Sequence, residues 1–209
     1  MNDSTKIYSM LNLGDSYTIG ELVTEEERFP NQTIELLKQK NIFFSTPKII
    51  ATTGWTTDEL QAAIDKENLQ TKFDFVTLLI GVNNEFRKRD TGEYRKQFSE
   101  LLQTAISFAD GNKKHVFVIS IPDWGITPFA EQDPHHRTEQ QISSEIDVFN
   151  KINFDEANKQ KVNYIEITNE SRDAKNDSTL LASDELHPSG KMYSAWAKKL
   201  ASGIEDALK

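Results

Sequence analysis

The stretch FVTLLIGVNNEF, residues 75–86, opens on six residues of which only Thr77 is polar, then breaks at Gly81 into two asparagines. A strand with one wet face alternates polar and apolar residues. A run that is apolar throughout suits a central strand covered on both sides. HVFVISI (115–121) has the same character, and three further runs, IYSMLNL (7–13), TPKIIA (46–51) and VNYIEI (162–167), are shorter or more mixed. Helical patterns fall between them. FPNQTIELLKQKN (29–41) follows the first run, and TTDELQAAIDKENL (56–69) follows the second, opened by a capping box with Thr56 as N-cap and Glu59 at N3. GEYRKQFSELLQTAISFAD (92–110) follows the third, with Phe98, Leu101, Leu102, Ala105 and Phe108 on one face. A mixed stretch leads to Lys161, and 188–208 carries Met192, Tyr193, Trp196, Leu200, Ile204 and Leu208 at helical spacing.

Strands joined by helices run parallel through right-handed crossovers. The alternation therefore predicts an α/β protein: one domain over residues 1–209, a three-layer α/β/α sandwich around a five-stranded parallel sheet. In such sheets ligands collect beyond the carboxyl ends of the strands.

Composition narrows the function. The chain has 209 residues, 37% hydrophobic and 27% charged, and no run long enough to span a membrane. It contains no cysteine, which excludes disulfides, thiolate nucleophiles and zinc–sulfur sites. A formal charge of −9 argues against nucleic-acid partners, and the short basic groups (FRKRD, GNKKH, WAKKL) are diluted by acidic or apolar neighbours. No basic, apolar leader opens the chain, so a cytoplasmic protein is expected, the alternative being a secreted one already trimmed. The sequons at Asn2, Asn31, Asn169 and Asn176 carry meaning only on the secretory route. His135 and His136 are adjacent with no third ligand at metal spacing. DAKNDSTLLASD (173–184) lacks the glycine and closing glutamate of a calcium loop and reads as a surface loop. No metal and no cofactor are expected.

The residues just past the strand ends carry chemistry. Gly14-Asp15-Ser16 follows the first run, Gly54 the second, Gly81-Val82-Asn83-Asn84 the third, and Asp184-Glu185-Leu186-His187-Pro188 comes after the last. A serine becomes a nucleophile when a histidine takes its proton, and the histidine needs a carboxylate to fix its tautomer. Asp184 stands three residues before His187, within reach of its Nδ1–H. Pro188 biases His187 away from helical torsions and can open the C-terminal helix as its first residue. The N–H groups of Ser16 and Gly54 and the Asn83 carboxamide are candidate oxyanion donors.

These four blocks, in this order over nearly the whole chain, resemble those of the SGNH (GDSL-type) esterase and lipase family. The resemblance implies a flavodoxin-like sandwich and a serine esterase acting through an acyl-enzyme. By it Ser16 is the nucleophile, His187 the base and Asp184 its orienting acid, with Gly54 and Asn83 completing the oxyanion hole. Two positions depart from the family pattern. Asn84 replaces an aspartate, which predicts altered local hydrogen bonding with activity retained. Glu185 stands where a glycine is common and is expected to disfavour anionic substrates. An α/β-hydrolase would need G-x-S-x-G, whereas Gly14-Asp15-Ser16-Tyr17-Thr18 is read as part of the first strand.

Asp15 and Asn84, beside the nucleophile and the oxyanion asparagine, are expected at the substrate site, as are Trp55, Trp124 and Phe129. For the three aromatics, and for Ile126 with them, packing against the sheet is the equal alternative. The partner is a small-molecule ester, and small or water-soluble esters are favoured. Lysophospholipids, thioesters and acetylated carbohydrates are alternatives within the family, and a binding module that has lost activity is the alternative outside it.

Overall fold

The computed structural model describes residues 6–209; Asn2 and the opening of the N-terminal stretch lie outside it. The strands are β1 (Ile7–Tyr8), β2 (Met10–Gly14), β3 (Phe43–Phe44), β4 (Lys48–Ala51), β5 (Phe75–Leu79), β6 (Val116–Ile119) and β7 (Asn163–Ile165). Five of them build one parallel sheet in the order β4-β2-β5-β6-β7. With β1 and β3 set aside, that is the flavodoxin-like order, reversing direction beside β2.

The helices are α1 (Ser16–Ile19), α2 (Phe29–Lys38), α3 (Thr57–Glu67), α4 (Val82–Phe86), α5 (Thr91–Phe108), α6 (Glu139–Gln160), α7 (Thr168–Arg172) and α8 (Gly190–Ala207). α2 packs on α8, while α3, α5 and α6 pack side by side, giving a helical layer on each side of the sheet. Every residue of β5 is buried, which explains its unbroken apolar run. Its one polar residue is satisfied inside the sheet: the Thr77 hydroxyl donates to Asn12 Oδ1 at 2.8 Å. No helix among the described residues is long and apolar enough to cross a membrane.

Three expectations are corrected. The run 7–13 is two strands, because Ser9 turns its N–H and hydroxyl to Asp74 Oδ2 (2.9 and 3.0 Å). That frees Ile7–Tyr8 to pair with Phe43–Phe44 in a small separate parallel sheet. Ser16 is the first residue of α1 and not part of the strand. Pro188 is not the first residue of α8, since Ser189 is its N-cap. Pro188 instead bridges Leu181, and the Ala182 N–H donates to the His187 carbonyl at 2.7 Å. His187 is thus tied into a short antiparallel pairing ahead of the helix.

Candidate active site

Gly14 closes β2 where its backbone passes against β5. A Cβ there would collide with the Leu79 carbonyl oxygen and the Thr18 hydroxyl, so only glycine fits. Asp15 then caps α1, its Oδ1 accepting from the Tyr17 N–H at 3.0 Å. Ser16 follows as the first helical residue, where a backbone N–H has no partner within the helix. Its side chain faces a cavity of about 170 Å³ lined mainly by apolar groups.

His187 faces the same cavity. Its Nδ1 lies 2.6 Å from Asp184 Oδ2, while Asp184 Oδ1 accepts the N–H groups of His187 (3.0 Å) and Leu186 (3.1 Å). One carboxylate therefore shapes the turn and holds the ring. An ionised carboxylate only accepts, so Nδ1 carries the proton and Nε2 keeps its lone pair when the ring is neutral. Partial burial pushes the Asp184 carboxyl up, but the His187 ring and the two backbone N–H groups outweigh it and hold it below its ordinary value. No hydrogen bond of 3.5 Å or less joins Ser16 Oγ to Nε2. Such contacts are often long without substrate and tighten in the complex.

Gly54 and Asn83 complete the lining of the polar end. Gly54 has φ +86°, a left-handed torsion that favours glycine, and its carbonyl accepts Arg87 Nη2 at 2.6 Å. Arg87, at the C-terminal end of α4, thus holds the Gly54–Trp55 peptide. The Asn83 carboxamide donates one N–H to the Trp55 carbonyl at 3.0 Å and retains a second donor.

The model of the GDSL-like lipase/acylhydrolase family matches residues 13–195, most of the chain. The chain belongs to the GDSL-like lipase/acylhydrolase family. Membership places it among carboxylic ester hydrolases. The fold is shared with a lipase/acylhydrolase from Enterococcus faecalis (18% identity, 96% of each chain, TM-score 0.70). It is shared too with the esterase EstA from Pseudoalteromonas sp., solved with monoethylphosphonate as inhibitor (14% identity, 96% of this chain and 98% of that one, TM-score 0.71). An acetyl xylan esterase from Geobacillus stearothermophilus matches at 17% identity over 94% of each chain, with a TM-score of 0.65. No curated protein matches the sequence.

Within this GDSL-family site, Trp124 and Phe129 line the cavity. Three other residues expected there do not. Asp15 is buried and turned to the α1 backbone. Asn84 is buried and grips Thr57, its Oδ1 accepting the N–H (3.1 Å) and its Nδ2 donating to Oγ1 (2.8 Å). Adjacent residues on α4 point apart, so Asn83 reaches the cavity and Asn84 reaches α3. Trp55 offers its carbonyl to Asn83 but lays its ring in a separate groove between β4 and α3. Ile126 lines a second depression behind the 124–130 segment. Glu185 is exposed with φ +58°, a left-handed torsion that a glycine would adopt without strain.

Tyr17 and Thr53, each beside a candidate site residue, also line the cavity and were not anticipated, and neither were Val82, Phe86 and Leu186. Val82 and Leu186 stand inside the motif blocks and Phe86 lies two residues after Asn84, and that closeness was the available signal. Among the described residues no group of three or more His, Asp or Glu side chains is placed to hold a metal ion, and His135 and His136 lie exposed in a loop.

Proposed function

We propose that the chain, read as one catalytic domain, is a serine esterase in which Ser16, His187 and Asp184 form a relay. Ser16 Oγ attacks the ester carbonyl as its proton passes to His187 Nε2. The carbonyl π pair moves to oxygen, and the resulting oxyanion is held by the N–H groups of Ser16 and Gly54 and by the Asn83 carboxamide. Collapse expels the alcohol, which takes the proton from His187 and leaves Ser16 acylated. Water then adds by the same route, giving up a proton to Nε2, and the acid leaves as Ser16 regains its hydrogen. Net, one ester and one water become one acid and one alcohol. Asp184 stays ionised throughout and stabilises the imidazolium. The observation that carries this reading is the single cavity shared by Ser16, Gly54, Asn83 and His187, with His187 pinned 2.6 Å from Asp184.

Cavity size favours short acyl groups. At about 170 Å³ it is close to an apolar cavity of about 150 Å³ that takes one benzene. Acetyl and butanoyl groups fit; long lysophospholipid chains do not fit inside it. The polar alcohol moiety is left at the open mouth, which leaves esters of water-soluble alcohols, acetylated carbohydrates included, within the substrate class.

p-Nitrophenyl esters of graded chain length test the assignment. The native protein is expected to hydrolyse the short ones and to be labelled by a fluorophosphonate, and Ser16→Ala to do neither. A native protein inert to every chain length and to the probe would identify a binding module that keeps the fold.

A further inference from the structure

Trp124 forms part of the apolar wall of the cavity, and the groups that hold it are unusual for a packing contact. Its indole Nε1–H donates to Glu85 Oε2 at 2.8 Å, and the Glu85 side chain has no solvent exposure. The other Glu85 oxygen pairs with Arg137 Nη1. The Arg137 guanidinium also lies over the Trp124 ring, 5.3 Å from its centroid. Asp133 grips that guanidinium through two 3.0 Å contacts, and Glu145 adds a third carboxylate at 2.6 Å.

Burying charges this deeply is costly, and a neutral acceptor would satisfy an indole N–H. The position of the network suggests why charge is used. Between Ile119 and Glu139 the chain has only one short 3-10 stretch, Pro128–Gln132, so no sheet ladder or long helix fixes Trp124. Glu85, in contrast, sits on α4 two residues after Asn83. The network therefore ties a cavity wall made by a long connection to the same helix that presents the oxyanion asparagine.

We propose that Glu85 and Arg137 are positioning residues that hold Trp124 as a fixed wall of the acyl cavity and so set the largest acyl group the enzyme accepts. The proposal rests on the esterase reading above and adds to it the device that limits chain length. Glu85→Gln keeps an acceptor for the indole but sets an NH2 donor against Arg137 Nη1 where an accepting oxygen stood. Trp124→Ala removes the wall itself.

The test compares p-nitrophenyl octanoate with p-nitrophenyl acetate as a ratio of kcat/KM. A loss of folded enzyme scales both substrates equally and leaves that ratio unmoved. The ratio is expected to be low in the native protein and to rise about tenfold in both variants, the scale at which a pocket discriminates small changes in apolar size. Should Glu85→Gln fail to fold, Arg137→Lys keeps the charge while losing the forked contacts and the ring stacking, and is expected to shift the ratio the same way. A native ratio in the positioning variants, with a raised one in Trp124→Ala, leaves the wall and overturns the clamp. A native ratio in Trp124→Ala overturns both. Failure of the native protein on every ester is a different outcome, because it removes the esterase reading and the proposal together.

Discussion

At the scale of single residues, chemistry is concentrated in groups that serve two partners. Asp184 is the clearest case, since it builds the turn with one oxygen and holds the imidazole with the other. Asp184→Asn keeps the turn acceptor but presents the ring with a group that no longer enforces the reactive tautomer. It is expected to lower kcat by about 10³- to 10⁴-fold, measured on p-nitrophenyl acetate, with KM little changed. Because the Asp184 carboxyl is held below its ordinary value, its ionised form persists as pH falls toward the acid range. Gly54 is open to a Cβ, with Arg87 Nη2 at 3.7 Å as the nearest atom, so its constraint is torsional. Gly54→Ala is expected to turn its N–H out of the oxyanion site and to cost about 10²-fold in kcat, the scale of losing one such donor. Unchanged turnover would remove Gly54 from the oxyanion hole. The Asp-x-x-His pair was legible because both partners lie within one turn of chain.

At the scale of elements, the start of α3 shows where local rules end. The capping box was readable, and it is present: the Thr56 N–H donates to Glu59 Oε2 at 2.9 Å. Asn84 adds a second cap from a distant segment by accepting the Thr57 N–H. Thr57 is a partner for Asn84 that spacing could not name. Asn84→Ala would leave the buried Thr57 N–H without its acceptor and is expected to cost about 1–3 kcal/mol in urea unfolding. Since α3 directly follows the Gly54 turn, kcat should fall with it even at temperatures where the variant is folded. An unaltered unfolding midpoint would show that water replaces Asn84 fully.

Over the whole molecule, placing Asp15 and Ser16 at the end of a buried strand carries a thermodynamic consequence. Asp15 is buried with it, and one carboxyl oxygen has no hydrogen-bond partner. Burial pushes its pKa up from 3.8 to about 7, against the pull of the Tyr17 N–H. Below pH 3.8 both folded and unfolded chains are protonated there, and the group costs nothing. As pH rises toward 7 the unfolded chain releases the proton while the folded one keeps it, so stability declines across that window and levels off above it. The decline from this one group amounts to a few kcal/mol, because each tenfold difference in proton affinity between the two states is worth about 1.4 kcal/mol. Thermal unfolding between about pH 4 and 8 should thus show Asp15→Asn gaining on the native protein as pH rises. Parallel curves would mean that Asp15 titrates normally.

Periodicity and local spacing were enough to establish the five main parallel strands, the long helices between them, the capping box and the Asp184–His187 pair. Each is encoded within a few residues, where side-chain direction follows the repeat of strand or helix. Packing of irregular segments is not encoded that way. It decided that Trp124 and Phe129 face the cavity while Trp55, Asn84 and Asp15 turn elsewhere, and that Ser9 splits the first apolar run through Asp74. It also brought Glu85, Asp133 and Glu145 together around one guanidinium, that of Arg137, from two segments well apart in the chain. A buried charge is stable only once all its partners have arrived, and only the folded chain assembles them.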